Sequence, residues 1–504
     1  RYNSQGQVSE ITDQEGNSEY FYYDEEGRQE THVDRNGNVE RTLYNMDNQM
    51  VYQRAEDKKG RNPVVNQYVY YPDGSLKEAT GGGITYRYEY TGTGLLKSKS
   101  APGKRLLDYA YDKNQNVIRM TDLTGKSTTY AYDLLDRLER VEDMESGEAL
   151  AVYRYTPSGR KESLRLGNGV QTKYRYGEDG SLSSLVTVTQ EGELLLNYDY
   201  AYDGNGNCTK KSGERYQNEY AYDNMGRLLE ANYNGSKETY AYDLAGNRLK
   251  KETAEGTELY SYNAMNQLLQ MKKGGNATHY RYDLQGNMLQ EAGHDGKEYA
   301  YDALNRQIGV SANDLGQINR YDGEGLRYET EKSGKTAFYL YDRGELTAET
   351  GGDTVGRYAR GYDVVYSEYN GEGGGYHIQD EAKSTLFILD RNHDVKKSYR
   401  YDAFGQVLEE SGEIRNRITY TGQIYDGAMG QYYLRARFYN PTIGRFLQED
   451  IYRGDGLNLY AYCANNPVMY YDPSGYITIC PTDFYVTEDG TVIPANQIKS
   501  NSQY

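Results

Sequence analysis

A tyrosine-rich motif that recurs about every 20 residues is the feature that most constrains what this chain can fold into. Two tyrosines separated by one residue are followed by Asp or Asn, as in Tyr220-Ala-Tyr222-Asp223 and Tyr240-Ala-Tyr242-Asp243. Further copies begin at Tyr200, Tyr260, Tyr280, Tyr299, Tyr339 and Tyr399, and looser ones at Tyr22, Tyr109, Tyr130, Tyr153 and Tyr174. A fixed period of this length indicates a repeat architecture, so most of the chain is predicted to be one array.

Each copy of the motif predicts a β-hairpin. Tyr220 and Tyr222 are two positions apart and would share one face of a strand. Asp223 and Gly226 occupy the first and fourth positions of the next four residues, which is the preference of a type I turn. A second short strand then ends at Asn234-Gly235, where the chain reverses again. The corresponding reversals in later copies are Glu255-Gly256, Gly274-Gly275 and Asp295-Gly296.

A single hairpin is marginal in water, so successive copies must stack to bury their aromatic faces. The sequence therefore predicts an all-β fold with one long antiparallel sheet over residues 20–401 and less than roughly a tenth of its residues in helices. A sheet of this length twists and would leave edges exposed unless it spiralled into an enclosing wall. A large enclosing β-structure is the simplest arrangement.

The composition excludes several other classes of protein. No apolar run approaches the ~20 residues of a membrane-spanning helix, and the Gly spacing and heptads of collagen and coiled coils are absent. The chain has 59 Tyr, and disordered proteins contain few aromatic residues, so the chain is expected to fold. Its net charge of −18 argues against nucleic acid as a partner of the shell.

Metal and cofactor motifs are weak. Three cysteines are too few for a disulfide framework, and the five histidines lack metal-ligand spacing, so no metal and no cofactor is expected. The runs beginning at Asp112 and Asp203 imitate part of a calcium loop but lack its Gly and Glu, and they are predicted to be turns. Gly373-Gly374-Gly375 lacks the Gly-Lys-Ser/Thr of a phosphate loop and is predicted to be an ordinary loop.

A pair of carboxylates near the C-terminal end is the candidate catalytic site. If Asp450 and Asp472 lay together they would share a proton, so that one could act as a base on water while the other protonated the leaving amide nitrogen. The alternative is structural, because Asp472-Pro473-Ser474-Gly475 also fits the type I turn used throughout the chain. The residues alone leave both interpretations open.

The repeat and the residues after it resemble the RHS/YD-repeat family, which includes bacterial polymorphic toxins, the C components of insecticidal toxin complexes and animal teneurins. The repeat is less specific than the following segment, which looks like the RHS repeat-associated core domain. Its motifs are Tyr401-Asp-Ala-Phe-Gly405, Tyr420-Thr-Gly-Gln423, Tyr432-Tyr-Leu-Arg-Ala-Arg-Phe-Tyr439, Gly444-Arg-Phe446, Leu457-Asn-Leu-Tyr-Ala-Tyr462, Asn466-Pro467 and Asp472-Pro-Ser-Gly475. The resemblance implies a hollow shell of spiralling antiparallel β-strands over residues 1–400, a core over 401–476 that plugs one end, and the start of a variable toxin region over 477–504.

The resemblance also implies self-cleavage. Similar cores cut themselves directly after an Asp-Pro-x-Gly-Leu motif, using its Asp, an upstream Asp and a nearby Arg. Carried over residue by residue, these are Asp472, Asp450 and Arg445, and the cut lies between Tyr476 and Ile477. Tyr476 stands where the family has Leu, and Ile451 follows Asp450 where the family has Pro, so Asp455 is kept as an alternative second carboxylate.

Three functions are consistent with this interpretation of the sequence. The first is a shell that encloses and delivers its own C-terminal toxin segment, with a core that acts as an aspartyl-type autoprotease. The second is a non-catalytic structural or adhesive surface protein, and the third is a teneurin-like receptor, which would normally show Cys-rich modules. Only 28 residues follow Tyr476, so we expect a truncated toxin region, and Arg1 begins in mid-pattern, so we expect a missing upstream part. A secreted or surface location and a secretion-system or surface component as a further partner complete the prediction.

Overall fold

The fold is built from short β-strands. A computed structural model of the chain describes residues 1–214, 216–293, 296–312, 315–454 and 456–480, together with the backbone of two strands at 484–486 and 492–494. No α-helix occurs in these ranges; the helical segments there are two 3₁₀ turns, Tyr420–Gly422 and Cys463–Asn465. The helix content is therefore as low as the repeat predicts.

The first 39 strands form one antiparallel sheet. They are β1 (Glu10–Thr12), β2 (Ser18–Tyr23), β3 (Gln29–Val33), β4 (Val39–Tyr44), β5 (Met50–Glu56), β6 (Val64–Tyr70), β7 (Leu76–Gly81), β8 (Ile84–Tyr90), β9 (Leu96–Ala101), β10 (Lys104–Tyr111), β11 (Val117–Thr121), β12 (Ser127–Tyr132), β13 (Leu138–Asp143), β14 (Ala149–Tyr155), β15 (Lys161–Leu166), β16 (Gln171–Tyr176), β17 (Leu182–Val188), β18 (Leu194–Tyr202), β19 (Cys208–Ser212) and β20 (Gln217–Tyr222). They continue as β21 (Leu228–Tyr233), β22 (Ser236–Tyr242), β23 (Arg248–Thr253), β24 (Gly256–Tyr262), β25 (Leu268–Lys273), β26 (Asn276–Tyr282), β27 (Met288–Ala292), β28 (Lys297–Tyr301), β29 (Gln307–Ala312), β30 (Leu315–Tyr321), β31 (Arg327–Lys332), β32 (Lys335–Asp342), β33 (Glu345–Gly351), β34 (Thr354–Arg360), β35 (Val364–Tyr369), β36 (Gly373–Gln379), β37 (Thr385–Leu389), β38 (Val395–Tyr401) and β39 (Val407–Ser411).

Two smaller sheets follow. One contains β40 (Ile424–Asp426), β41 (Gln431–Tyr433), β42 (Phe438–Asn440) and β43 (Arg445–Phe446), and the other contains β44 (Phe484–Val486) and β45 (Val492–Pro494). Neighbouring strands of the large sheet pair in sequence order, as β20 does with β21, where Tyr220 lies opposite Ala231. The prediction of an all-β fold with one long antiparallel sheet is confirmed.

The repeat folds as the predicted hairpin. In the turn after β20, the Gly226 amide donates to the Asp223 carbonyl at 3.0 Å. The Asp223 carboxylate accepts from the amides of Met225 and Arg227, at 2.9 and 3.0 Å. Gly226 has a φ of 78°, a backbone conformation that favours glycine. The next reversal is a two-residue turn in which Asn234 and Gly235 both have positive φ, as such hairpins require.

In many repeats the hydroxyl of the second tyrosine has a specific partner, although those of Tyr242 and Tyr301 have none among the described residues. Tyr222 donates to the carbonyl of Cys208 at 2.7 Å, which lies at the start of the second strand of the preceding repeat. The same bond joins Tyr44 to Gln29, Tyr70 to Met50, Tyr90 to Leu76, Tyr132 to Val117, Tyr176 to Lys161, Tyr202 to Leu182, Tyr321 to Gln307 and Tyr401 to Thr385. In these repeats tyrosine therefore ties its hairpin to the preceding one, in addition to burying its ring.

The described chain divides into two compact units. The first comprises Arg1–Asp108, Leu259–Tyr339 and Leu447–Asp450. Its interior contains Lys99, whose ammonium group lies 4.0 Å from the centre of the Tyr86 ring and pairs with Glu324. Segments far apart in sequence are thus held together inside this unit by buried ion pairs.

The second unit comprises Tyr109–Glu258, Leu340–Phe446 and Ile451–Tyr504. One apolar cluster joins Val141 and Tyr153 to Tyr376 and Leu389. A second, aromatic cluster is formed by the residues of the small four-stranded sheet and its surroundings: Tyr420, Tyr432, Leu434, Tyr439, Phe446, Tyr462 and Cys463. This aromatic cluster is the interior of the 401–476 segment.

One local prediction is wrong. Gly373-Gly374-Gly375 is not a loop but the start of β36, paired with β35. A Cβ on Gly374 would lie 2.0 Å from the Tyr366 hydroxyl, and one on Gly375 would lie 2.3 Å from the Ile388 side chain. The glycines are there because neighbouring side chains occupy the space above the strand. The Asp203 run is a turn as predicted, its carboxylate accepting from the amides of Asn205 and Asn207.

Candidate functional site

Asp472 lies in a tight, buried turn near the end of the described chain. Its side chain is almost fully buried, and its Oδ1 accepts hydrogen bonds from the amides of Ser474 and Gly475 at 2.9 and 2.7 Å. Tyr471, just before it, pairs with Ile479 through two backbone hydrogen bonds of 3.0 and 2.9 Å. The Asp472 turn and the predicted cleavage point are therefore contained in one loop that this pair closes.

The other carboxylate oxygen of Asp472 faces an arginine that the sequence analysis did not single out. Arg437 Nη2 lies 3.7 Å from Asp472 Oδ2. The guanidinium carbon of Arg437 is 3.6 Å from the centre of the Phe446 ring, and its Nη1 donates to the Leu459 carbonyl at 3.0 Å. Arg437 belongs to the motif Leu434-Arg-Ala-Arg437, but no local signal distinguishes it from Arg435, because only the fold shows which side chain turns toward the Asp472 loop.

Arg445, the arginine predicted from the resemblance, is held by asparagines. It is buried, and its Nη1 and Nη2 donate to the side-chain carbonyls of Asn247 and Asn458, both at 3.2 Å. Its guanidinium also lies 5.5 Å from the centre of the Tyr460 ring. These contacts join the core to the turn that follows β22.

Asp450 belongs to the first unit. It ends the segment Leu447–Asp450, in which the Leu447 carbonyl accepts from the Met288 amide at 2.9 Å and Glu449 forms an ion pair with Arg35 at 2.9 Å. Asp450 itself is buried. Asp455, the alternative carboxylate, lies outside the described residues, as do His294 and the Asp295 end of one predicted reversal.

The predicted cleavage point is accessible. Tyr476 and Ile477 are 38% and 40% exposed, whereas Tyr471 and Asp472 before them and Ile479 after them are buried. A peptide bond between two half-exposed residues can be reached by water, while the flanking chain holds it in place. The remaining C-terminal residues, apart from the backbone of β44 and β45, lie outside the described ranges.

Asparagines of the core bind repeat turns, which the sequence analysis also missed. Asn466 donates to the Asn207 side chain at 3.0 Å, and Asn465 donates to the Gly246 carbonyl at 2.9 Å. Asn207 follows its turn aspartate by four residues and also donates to that carboxylate at 3.0 Å. The Asn or Arg that recurs four residues after many of the turn aspartates is the sequence signal that could have indicated these contacts.

Neither a metal-binding cluster nor a membrane-spanning helix occurs among the described residues. Within those ranges, no three His, Cys, Asp or Glu side chains are grouped so that they could hold a metal ion. Likewise, none of the helical segments in the described ranges has the length and hydropathy needed to span a bilayer.

The fold and the Asp-Pro-Ser-Gly turn define a class of proteins, in which a tyrosine-rich repeat sheet is followed by a compact aromatic core. Comparison with protein families agrees with this class: the family model described as Teneurin YD-shell matches residues 205–468, and the one described as RHS Repeat matches residues 2–39 and 111–149. Because the first match covers more than half of the chain, the chain belongs to the teneurin YD-shell family. The resemblance to RHS/YD-repeat proteins is confirmed.

Similar curated proteins include named toxins. The tRNA3(Ser)-specific nuclease WapA of Bacillus spizizenii is 36% identical over 190 residues, which covers 35% of this chain and 7% of that protein. Toxin protein Tse5 of Pseudomonas aeruginosa is 33% identical over 99 residues, covering 19% of this chain and 8% of Tse5. The chain therefore corresponds to a small part of these relatives.

Solved structures share the fold. The crystal structure of TcdB2-TccC3 without its hypervariable C-terminal region is 18% identical, with a TM-score of 0.77 over 94% of this chain and 28% of that one. At this identity the likeness shows the fold alone. The long antiparallel repeat sheet is thus the same fold as in TcdB2-TccC3.

Proposed function

We propose that this chain is the shell and core of a polymorphic toxin of the RHS type, and that the core cuts the backbone between Tyr476 and Ile477. The shell would enclose the C-terminal toxin segment as its cargo, and the whole protein would act outside the cell that makes it. The matches to named toxins support the shell role, as does the fold shared with TcdB2-TccC3, one structure of which lacks a hypervariable C-terminal region. A secretion-system or surface component remains an expected further partner.

The observation that carries self-cleavage is the environment of Asp472. A buried carboxylate beside an arginine, in a loop that leads directly to an accessible peptide bond, is a site where hydrolysis can be assisted. Burial alone does not single out Asp472, because the repeat-turn aspartates Asp322 and Asp402 are buried as well; what distinguishes Asp472 is the accessible peptide bond that follows its loop. Asp57, a turn residue of the repeat, also accepts two backbone amides, those of Lys59 and Arg61.

The proposed reaction is hydrolysis of one amide. A carboxylate takes a proton from water, and the water oxygen attacks the Tyr476 carbonyl carbon. The bond to the Ile477 nitrogen then breaks, and that nitrogen receives a proton from the second carboxyl group. Asp472 is assigned from its position, and Asp450 and Arg445 are assigned from the family resemblance. The products are a Tyr476 carboxylate and an Ile477 amino group, so the cut consumes one water.

The test is the intact mass of the purified chain after prolonged incubation. We expect the native chain to appear as residues 1–476 and 477–504, and Asp472→Asn and Asp450→Asn to remain full length. Asp57→Asn is the matched control, because it alters a turn aspartate that also accepts two backbone amides and belongs to the first unit, whereas Asp472 belongs to the second. It should be cut like the native chain.

Two results would contradict the proposal. A native chain that stays at full length would make Asp472 a turn residue and leave a non-catalytic structural or adhesive shell. Equal cutting of all three variants would show that neither carboxylate takes part.

A further inference from the structure

We infer that residues 434–437, the Leu-Arg-Ala-Arg segment between β41 and β42, form a clamp that determines which peptide bond of the Asp472 loop is cut. This inference rests on the proposed self-cleavage and adds to it a means of selecting the bond. The clamp residues bind the loop backbone and act as positioning residues, distinct from the carboxylates that move protons.

The clamp binds three consecutive carbonyl groups. Arg435 Nη1 donates to the Pro473 carbonyl at 2.6 Å, and the Ala436 amide donates to the Ser474 carbonyl at 3.1 Å. Arg437 Nε donates to the Gly475 carbonyl. The next carbonyl along the chain is that of Tyr476, whose bond to Ile477 is the predicted point of cleavage. The row of contacts therefore ends one residue before the reacting carbonyl.

Gly475 allows the loop to lie directly on the clamp. Its φ is 83°, and a Cβ there would lie 2.6 Å from the Leu434 carbonyl oxygen and 2.9 Å from the Arg437 amide nitrogen. Both neighbours are backbone atoms, which cannot move aside cheaply. Glycine is thus required at the fourth position of the motif for contact with the clamp as well as for the turn.

The wall of the second unit fixes Arg435. Its Nε donates to the Gly344 carbonyl at 2.8 Å, and its Nη2 pairs with Glu345 at 2.7 Å, in the hairpin between β32 and β33. Glu345 also pairs with Arg360 at 2.9 Å. Burial raises the pKa of Glu345, but the positive charges of Arg435, Arg360 and Lys383 more than offset this effect and hold that pKa below its usual value. Glu345 therefore stays ionised and keeps the arginine in place.

Arg437 is fixed from two other sides, by the Phe446 ring and by the Leu459 carbonyl. A flat guanidinium can stack on a ring and donate in several fixed directions at once, whereas a lysine ammonium cannot reproduce this arrangement. Replacement of either arginine by lysine keeps the charge but should release the loop. A misplacement of about 1 Å can slow a positioned reaction by roughly a hundred-fold.

The experiment compares the full-length native chain with Arg435→Lys, Arg437→Lys and Glu345→Gln. Arg400→Lys is the control, because Arg400 pairs with Glu409 across β38 and β39 of the repeat sheet. The rate and the position of cleavage are measured by intact mass. We expect the three clamp variants to be cut roughly ten- to a hundred-fold more slowly after Tyr476, or at a neighbouring bond, and the control to match the native chain.

Hydrogen exchange of the Ala436 and Gly475 amides gives a second readout that does not depend on cleavage. We expect faster exchange at both amides in the clamp variants, with melting temperatures close to that of the control. Native rates, native cut position and native exchange in Arg435→Lys and Arg437→Lys would overturn the clamp. If the native chain is not cut, the proposed self-cleavage fails, and unchanged exchange in the variants would separately reject the clamp.

Discussion

At the scale of single residues, the tyrosine pair does two different things. The first tyrosine of a pair packs its ring against the neighbouring strand, as Tyr220 does against Tyr233 with ring centres 6.4 Å apart. The second places its hydroxyl on a backbone carbonyl of the preceding repeat, as Tyr222 does on Cys208. Leucine or valine would supply the burial but not this bond, which is why tyrosine carries the repeat.

The pair gives a direct test of the strand faces. Replacing Tyr220 and Tyr222 by Ala should destabilise the chain by about 3 kcal/mol or more, because two packed rings and a hydrogen bond are lost. Glu219 lies on the opposite, exposed face of β20, so Glu219→Ala should change stability by less than about 0.5 kcal/mol. Thermal unfolding measures both variants. Equal shifts would mean that the faces of β20 are assigned incorrectly.

His32 provides a pH-dependent contribution to stability. Its Nε2 lies 3.0 Å from Glu19, and its Nδ1 lies 3.8 Å from Glu40. Burial lowers the pKa of His32, but hydrogen bonds and charge from these two glutamates outweigh it and raise that pKa from 6.5 to about 9. Since the folded chain holds the proton more tightly, the stabilisation is complete below pH 6.5 and is lost as the pH rises to about 9.

We therefore expect the native chain to lose on the order of 3 kcal/mol across this pH range, and His32→Gln to lose less. Apparent melting temperatures at the two ends of the range provide the measurement. His279→Gln is the control, because His279 is exposed and hydrogen-bonds Gln270. Parallel pH profiles for the native chain and His32→Gln would contradict the assignment.

At the scale of elements, the turn that follows the tyrosine strand fixes its own shape and also contacts the next repeat. The aspartate accepts two backbone amides, and the residue four positions later returns to its second oxygen, as Arg227 does to Asp223 at 2.6 Å. The guanidinium of Arg227 then lies 5.1 Å from the centre of the Tyr242 ring in the next repeat. The turn thus fixes its own geometry and contacts the following hairpin.

The last turn of the array, residues 402–405, is contacted by aromatic side chains of the core. The Tyr432 hydroxyl donates to the Gly405 carbonyl at 2.8 Å, and the Tyr420 ring covers the same glycine. Here the aromatic cluster of the core rests on a repeat turn. The turn is therefore a structural joint between the array and the core.

Two glycines at the same turn position test this joint. Gly405 and Gly206 both have a φ of 85°, so alanine at either should cost about 1 kcal/mol in backbone strain. A Cβ on Gly405 would lie 2.4 Å from the Tyr420 ring, whereas nothing lies within 4 Å of one on Gly206. Gly405→Ala should therefore lower the melting temperature clearly more than Gly206→Ala. A larger effect of Gly206→Ala would show that the core does not depend on this contact.

At the scale of the whole molecule, the sheet could be predicted from the sequence because each hairpin is determined by residues that are close together in the chain. The spacing of Tyr220, Tyr222, Asp223 and Gly226 contains all that a hairpin needs, and copying it builds the array. The core is different, since Arg437 reaches Gly475 from 38 residues away and no spacing in the sequence indicates that contact. The run of glycines at residues 373–375 was assigned to a loop for the same reason, because only the fold shows that Tyr366 and Ile388 occupy the space above Gly374 and Gly375.

The pairing of Tyr471 with Ile479 predicts what happens after a cut. Ile479 and Cys480 are buried, and two backbone hydrogen bonds link Ile479 to the other side of the cleavage point. The fragment that begins at Ile477 should therefore stay bound to the rest of the chain. We expect the two fragments to elute together in size-exclusion chromatography and to separate in denaturant. Separate elution under native conditions would contradict this retention.

The central claim is that water cleaves the bond between Tyr476 and Ile477, and folding the full chain in water enriched in heavy oxygen tests it most directly. The account predicts that the fragment ending at Tyr476 gains one heavy oxygen in its new carboxylate, and that Asp472→Asn forms no such fragment. Peptide masses separate this cut from breakage at the acid-labile Asp472-Pro473 bond. A full-length chain, or a fragment that ends elsewhere or carries no heavy oxygen, would contradict the account.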